Sequence, residues 1–510
     1  MLWIALHLPL LSLESFAATL PAPELDADGP PIALVDAHHI VSANDRAQSL
    51  GVKSGLKRAT ALALAPAIVL GQADALRDLR AVTAVAHAAL AFTPSVTLEP
   101  PGNPQAAPHT VLLEVHSSLR YFGGRRALLR RLQAALRPLN HRVHCASAPT
   151  AQGAALLARM PQAPLEGRHA PDLATLNRLL DEAPVWLLGP GREQWEALQG
   201  MGLQRLSDLQ GLPRSGLARR FGEPLLTEID RARGLQPDPR TWVVLPERFE
   251  SRLELFARAD TTEQVLHGAA ILLGRLVAWA SAQHGQVRRF TLHMQHEPRH
   301  RREAATPAHS TLEIALAEPS RDRTHLLVLL RERLARLQLA APTLELRLTC
   351  DDIARGAPPN GELFPTAKSE REGLIRLVER LQARLGHDQV QRLTLVEDHR
   401  PECATTLERA EAASRGPRPA RPPAWAGPRR PVWLLPTPEP LPERQLRPLL
   451  DGRPLQLLCG PERIESGWWD EALAERDYFI AQADDGALVW IYRARLPSAG
   501  GGWFLQGRFG

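Results

Sequence analysis

The stretch His109–Gly124, HTVLLEVHSSLRYFGG, decides the fold class of this chain. Val111 to Val115 is apolar except for Glu114, which predicts a strand ending ahead of the Gly123-Gly124 turn. Directly after it, Leu128, Leu129, Leu132, Leu136 and Leu139 recur on one face of a helix. RVHCASAP (142–149) then reads as a second short strand, and TAQGAALLARM (150–160) as the start of a second helix. Strand, helix, strand, helix predicts a mixed α/β layer.

Upstream, MLWIALHLPLLSLESFAA has the outline of a secretory leader. No Lys or Arg precedes the apolar run, and His7, Pro9 and Glu14 interrupt it, so a buried first strand from Trp3 to Leu8 is the better reading. From there to about residue 92 the chain is rich in Ala and Leu, and ANDRAQSLGVKSGLKRATALALAPAIVL (43–70) has helical spacing with turns at Gly51 and Gly55. Downstream, residues 181–235 read as helices punctuated by Gly189/Gly191 and Gly200/Gly202, and residues 245–350 alternate strands with helices as in a compact α/β domain. Residues 351–370 form a Pro/Gly-rich connector. An amphipathic helix follows, with Leu374, Leu377, Val378, Leu381 and Leu385 on one face. Ten prolines between Arg400 and Pro440 predict an extended linker. The last 80 residues, with Trp468, Trp469, Tyr478, Phe479, Trp490, Tyr492, Trp503 and Phe504, read as a small β-rich domain. No internal repeat is evident.

A length of 510 residues suggests about three domains, and 44% hydrophobic residues are enough for sizeable cores. The net charge of +5 permits nucleic-acid binding without arguing for it, and only three of the 61 cationic residues are Lys. Cys145, Cys350, Cys403 and Cys459 are scattered, which argues against a zinc site or a disulfide scaffold and for a reducing, cytoplasmic location. No segment offers the apolar run of about 18 residues that a bilayer span needs, so no membrane partner is expected.

Three features are candidates for chemistry. The glycine pairs around ALQGMGLQRLSDL (197–209) resemble a helix-hairpin-helix unit, whose backbone N–H groups at a helix start hold a DNA phosphate without reading sequence; they are equally explained as helix stops. Glu114 is a strand carboxylate that would need a second acid, the nearest being Glu99, to bind Mg²⁺; otherwise it is a solvated strand position. NGELFP (360–365) presents Leu363 and Phe364 in a flexible connector, either tucked onto the chain itself or serving as an anchor pair for a partner's pocket. His7 and His109 read first as ordinary core or surface histidines, and no P-loop, GxGxxG or Ser/His/Asp order is present.

Together these segments resemble the Y-family (translesion) DNA polymerases, and within them the ImuB-type branch of bacterial mutagenesis cassettes. The first strand, LGVKSG (50–55), LLEVHSSLRYFGG, APTAQGAALLA (148–158) and ALQGMGLQRLSDL follow the palm, fingers and thumb order. GPERIESGWWD (460–470), RDYFIAQ (476–482) and GGWFLQGRFG (501–510) are similar to the C-terminal part of that branch. The resemblance implies a multidomain α/β and α+β right hand with a C-terminal partner-binding region. Residues 1–180 would be palm and fingers (fingers about 11–85), 181–240 a thumb, and 241–350 a little finger that binds DNA through basic segments such as QVRRF (286–290) and RHRRE (299–303). Residues 351–370 would be a connector, 371–399 a helical segment, 400–440 a linker and 441–510 an interaction domain.

The same comparison implies that the catalytic residues are gone. The family's first-strand acids align with His7 and Pro9, and its adjacent palm acids with His109 and Thr110, while Glu114 is retained further along. The Tyr and Arg that hold the triphosphate correspond to Asp45 and Gln48, and a Lys to Ala151. Nucleotidyl transfer needs two divalent metals held by carboxylates, and imidazole and hydroxyl are poor Mg²⁺ ligands. The expectation is a non-enzyme with no metal or other cofactor: an adaptor of the DNA-damage (SOS) response that binds DNA through Gly189, Gly191, Gly200 and Gly202. It would dock on the β sliding clamp through Asn360, Leu363 and Phe364, where Asn360 replaces the family's Gln. The resemblance also implies recruitment of a RecA-like accessory protein and an error-prone C-family polymerase. The alternatives are a weak polymerase with a metal site rearranged around Glu114, Glu99 and Glu14, or a plain DNA-binding protein without a clamp contact.

Overall fold

The computed structural model describes residues 1–21, 29–100, 107–160, 168–298, 307–355, 367–410, 430–495 and 501–510; the side chains of 190–191 and 367–372 lie outside that description. The chain divides into two compact units, Met1–Glu372 and Gly373–Gly510, and is a mixed α/β multidomain protein.

The first unit is built around a five-stranded sheet in the order Val96–Leu98, Thr110–Glu114, Trp3–His7, His144–Ala148, Arg168–His169. The first four strands are antiparallel and the last pair is parallel. Helices cover both faces. Ile4 and Leu6 pack with Val82, Val85, Leu128 and Leu132 from helices Ala75–Leu90 and Arg125–Leu136. Trp3 and Ala5 pack with Leu112, Ala146 and the helix Ala151–Arg159 on the other face. A central strand buried on both sides is a continuous apolar run rather than an alternating one, which is why WIAL was readable as a strand.

Between the first strand and residue 75 the structure departs from the helical expectation. Ile32–Asp36, His39–Ala43 and Val69–Gln72 form a three-stranded sheet, with only short helices, Leu11–Ala17, Asp45–Ser49 and Arg58–Leu64, around it. The Ile32–Asp36 and Val69–Gln72 strands pair in parallel across more than thirty residues. A non-local pairing of this kind leaves little local signal. Residues 173–233 are helical, from Leu173–Asp181 through Glu223–Arg233.

The remainder of this unit is a four-stranded antiparallel sheet in the order His309–Ser320, Gly285–His296, Thr343–Arg355, Phe249–Ala259, backed by helices Thr262–Ala282 and Arg323–Leu334. Thr262–Ala282 corrects the expectation that no segment could span a bilayer, since it is long and apolar enough by length and composition. Here Leu272, Leu273, Leu276 and Trp279 are buried, and a Cβ on Gly268 would come within 2.8 Å of Leu346 Cδ1 on the sheet, so glycine permits the close approach.

In the second unit the helix Ala367–Leu385 leads to a hairpin of Gln391–Leu395 and Thr405–Arg409. A five-stranded antiparallel sheet follows, in the order Trp433–Leu441, Gly502–Arg508, Leu488–Ala494, Ala474–Gln482, Gln456–Ser466. The stretch read as an extended linker therefore carries strands at both ends. The β-rich expectation for the C-terminus matches the observed sheet.

Candidate functional site

The central sheet brings His7, His109, Thr110 and His144 to one end. His7 closes the first strand and stands opposite both Thr110 and His144 in the neighbouring strands. His7 Nδ1 and Thr110 Oγ1 are hydrogen-bonded at 3.1 Å, and the His7 and His144 ring centroids are 6.3 Å apart. His109 lies just before its strand, where its carbonyl accepts from Leu8 N–H at 2.8 Å. Pro9 sits in the turn that follows the first strand. Burial pushes the His7 imidazolium pKa down to about 3, helped by the positive charge of Arg159 and by His109 and His144. Burial also lowers His109, against an opposing pull from buried Asp78. At neutral pH His7 and His109 are therefore uncharged, beside the Thr110 hydroxyl. Among the described residues no group of three His, Cys, Asp or Glu side chains is placed to hold a metal ion.

Glu99, Glu114 and Glu14 are held in three separate places. Glu99 lies beside the same sheet end, its N–H donating to the Thr110 carbonyl at 3.0 Å. Its carboxylate is engaged by Arg159 at 3.0 Å and by Gln152 Nε2 at 3.3 Å. Glu114 stands opposite Trp3, four residues further along the strand and so about 13 Å from Thr110. It accepts the N–H groups of Leu2 and His116 at 3.3 and 3.2 Å. Glu14 accepts from Arg142 N–H at 3.0 Å and pairs with His141 Nδ1 at 3.2 Å. Arg159 and His144 are the participants that sequence reasoning missed. Arg159 comes from the last turn of the helix packed on the sheet, and Glu228 lies 4.0 Å from it. Burial raises the Glu228 carboxyl, opposed by Arg159.

Asp45 and Gln48 are exposed on the short helix Asp45–Ser49, where Gln48 Nε2 donates to the Ala43 carbonyl at 2.7 Å. Ala151 is buried in the core at the start of its helix rather than facing solvent. Its preceding residue, Thr150, caps that helix by accepting from Gly153 N–H at 3.1 Å.

The amides of Gly189 and Gly202 are spent internally. Gly189 N–H donates to Glu228 Oε2 at 3.1 Å, which puts a carboxylate where a phosphate would sit. Gly191 lies inside the short helix Gly189–Glu193. Gly200 ends the helix Trp195–Gly200. Gly202, at φ +77°, donates to the Gln199 carbonyl at 2.9 Å. Asp208 takes the N–H groups of Gln204 and Arg205 at 2.9 and 2.8 Å.

On the four-stranded sheet three arginines are close to acids. Arg252 pairs with Glu250 at 2.9 Å, Arg347 approaches the same carboxylate at 3.8 Å, and Arg289 lies between Glu313 and Asp352 at 3.8 and 3.5 Å. RHRRE and the clamp-motif residues Asn360, Leu363 and Phe364 lie outside the described residues.

The second unit exposes apolar surface. On the helix Ala367–Leu385 the buried positions are Ile375, Glu379, Gln382 and Ala383, whereas Leu374, Leu377, Leu381 and Leu385 are exposed. The leucines that the sequence places on one face are thus turned outward, with Val378 partly buried. Trp468 and Trp469 are exposed and meet edge to face at 4.7 Å. Buried Arg400, placed in a linker by the sequence reading, holds their loop. It pairs with Asp398 at 2.7 Å and with Asp470, donates to the Ala472 carbonyl at 3.0 Å and lies 5.5 Å from the Trp469 ring centre.

No family model matches the sequence. Among solved structures, the insertion ternary complex of Dbh DNA polymerase superimposes with a TM-score of 0.39 at 17% identity, covering 70% of this chain and 100% of that one. DinB from Sulfolobus solfataricus gives 0.38 at 17% identity with the same coverage. Among curated proteins, Protein ImuB from two strains of Caulobacter vibrioides is 27% identical over 487 residues, spanning 90% of this chain and 100% of the relative. Over nine-tenths of its length, this chain is a homologue of Protein ImuB.

Proposed function

We propose that this protein is a non-catalytic adaptor in damage-induced mutagenic translesion DNA synthesis. In this reading the five-stranded sheet is a palm, the three-stranded sheet and its short helices are fingers, the helices of 173–233 are a thumb, and the four-stranded sheet is a little finger. The observation that carries it is the His7–Thr110 pair. Where polymerase chemistry needs a cage of carboxylates for two Mg²⁺ ions, two uncharged side chains are bonded to each other at 3.1 Å. The neighbouring carboxylate, Glu99, is neutralised by Arg159. Imidazole nitrogen and hydroxyl do not replace hard anionic oxygens for Mg²⁺.

The adaptor half of the reading is carried by surface rather than by chemistry. The protein docks on the β sliding clamp through Asn360, Leu363 and Phe364, binds DNA, and recruits an error-prone C-family polymerase and a RecA-like accessory protein through its second unit. The outward leucines of the helix Ala367–Leu385 and the exposed Trp468 and Trp469 support that last assignment, because contiguous exposed apolar groups on a folded unit are characteristic of partner surfaces. Joining several modest contacts on one chain raises their effective concentration, so none has to be tight.

Two experiments test this. Primer extension by the purified protein in Mg²⁺ or Mn²⁺ is expected to give no template-directed incorporation; incorporation that disappears in Glu114→Ala would establish the weak-polymerase alternative instead. Clamp affinity is expected to fall by several kcal/mol in Leu363→Ala/Phe364→Ala, since buried anchor residues contribute at least ~2 kcal/mol each. Equal affinities would remove the clamp assignment and leave a plain DNA-binding protein.

A further inference from the structure

Within the first unit a cleft of about 310 Å³ lies between the helix Ala75–Leu90, the strand Val69–Gln72, the edge strand Phe249–Ala259 and the helix Thr262–Ala282. Its ends are tied together: Phe256 N–H donates to the Thr19 carbonyl at 3.1 Å, and the Phe16 and Phe256 rings meet edge to face at 5.2 Å. Arg77, Arg80, Arg252 and Arg275 line it, against the acids Asp74 and Glu254.

The charges do not cancel locally. Asp74 is the N-cap of its helix and accepts the N–H groups of Leu76 and Arg77 at 2.8 and 3.1 Å. Arg77 lies 3.7 Å from Asp78, and Arg252 is paired with Glu250. Glu254 is on the exposed side of the edge strand. That leaves Arg80 and Arg275. Arg275 is only 6% exposed, and its Nη1 donates to Ser251 Oγ at 3.1 Å and to the Arg252 carbonyl at 3.4 Å, both neutral acceptors. Among the described residues no carboxylate forms an ion pair with either Arg80 or Arg275. Burial, reinforced by the positive charge of Arg80, lowers the Arg275 guanidinium pKa to about 10. A buried cation bonded only to neutral acceptors, with a second cation nearby and Glu254 exposed at the rim, is costly unless a mobile anion completes the site.

We infer that this cleft binds a phosphate-bearing anion between Arg80 and Arg275. Guanidinium groups present paired N–H donors that match phosphate oxygens. The site lies on different elements from Asp45, Gln48 and Ala151, and it does not depend on the sheet end at His7. Its phosphate has two sources, the backbone of a nucleic-acid strand or a free diphosphate-bearing compound.

The test uses the full chain and two probes, inorganic pyrophosphate by titration calorimetry and a fluorescently labelled single-stranded oligonucleotide by anisotropy. Arg80→Gln changes an exposed side chain and leaves the core intact; Arg336→Gln, on the surface elsewhere, controls for net charge. Pyrophosphate is expected to bind the parent and to bind Arg80→Gln weaker by roughly tenfold or more, as loss of a charge-assisted contact predicts, with the control within about twofold. Arg275→Met, which keeps bulk but not charge, is expected to match Arg80→Gln if it folds. If oligonucleotide binding falls in parallel and pyrophosphate competes for it, the phosphate is that of a strand. If only pyrophosphate binding falls, it is that of a free compound. Binding of both probes by Arg80→Gln at the level of the control, or by neither protein, overturns the site. Primer extension and clamp capture do not read this cleft, so its failure and failure of the adaptor reading are separable.

Discussion

At the scale of the residue, the burial of His7 beside Thr110 governs how the protein responds to protons. His7 has an ordinary pKa of 6.5 when unfolded and about 3 when folded. Between those values the unfolded chain binds a proton that the native chain refuses, so stability rises with pH across this window and is lost as the solution is acidified. Going from pH 7 to pH 5 should cost the parent up to about 2 kcal/mol through this one group. His7→Gln should remove that increment while leaving the contributions of His87 and His109 in place. Urea unfolding of both proteins at the two pH values checks it, and identical pH dependence would mean that His7 is not buried as described. The same residues show what could be read in advance. His7 and Thr110 were singled out by the resemblance, and what the residues themselves made legible was the apolar strands that carry them. Arg159 was not, because a helix delivers it to the sheet end by packing, and nothing in TAQGAALLARM distinguishes it from a solvated cation.

At the scale of the element, the helix Ala367–Leu385 and the loop at Trp468 behave differently from their sequence patterns. Periodicity finds a leucine face but does not say which neighbour covers it. Here the buried side is Ile375 and Ala383 with Glu379 and Gln382, and the leucines face out. Leu377→Glu/Leu381→Glu should therefore leave thermal stability within a degree or two, as surface changes do, yet lower capture of the recruited polymerase or accessory protein. Loss of folding in this variant would show that the stripe is core after all. The tryptophan loop depends on Gly467, which sits at φ +86°, and a Cβ there would overlap the Ala472 carbonyl and the Arg400 guanidinium. Gly467→Ala should cost roughly 1–3 kcal/mol of local strain and free the Trp468–Trp469 pair. The measurement is tryptophan fluorescence with iodide quenching, and an unchanged quenching profile would disprove the scaffold role. Arg400 was missed because its neighbourhood is rich in proline, which masks an anchored side chain whose partners include Asp470, seventy residues on.

At the scale of the molecule, the division at Glu372 sets where the protein can be cut. Truncation after Pro440 would leave the strand Trp433–Leu441 without the sheet it joins, and a cut after Glu372 would split the helix Ala367–Leu385, so an informative boundary is residue 366, just ahead of that helix. A fragment of residues 1–366 should unfold cooperatively on its own, retain binding to DNA and to the clamp, and lose partner capture. Retained capture of the accessory protein would move the recruitment surface into the first unit. The five-stranded sheet was legible because its central strands are apolar runs next to helices of clear period. The three-stranded sheet was not, because its strands are only four or five residues long and two of them pair across more than thirty residues, which leaves little local trace. In the same way, Gly200 was legible as a helix end, whereas Gly191 lies inside a helix, and the Gly189 and Gly202 amides are taken by Glu228 and by the Gln199 carbonyl.

The guanidinium of Arg159 limits what a designed metal site at this sheet end could do. It sits beside the sheet end already bonded to Glu99 and acting on His7. A variant carrying aspartates at positions 7 and 110 would meet a resident positive charge before it met a metal ion, and the new acids would fold into an ion pair instead of an open cage. Building a divalent-metal site at this sheet end would therefore require replacing that arginine as well.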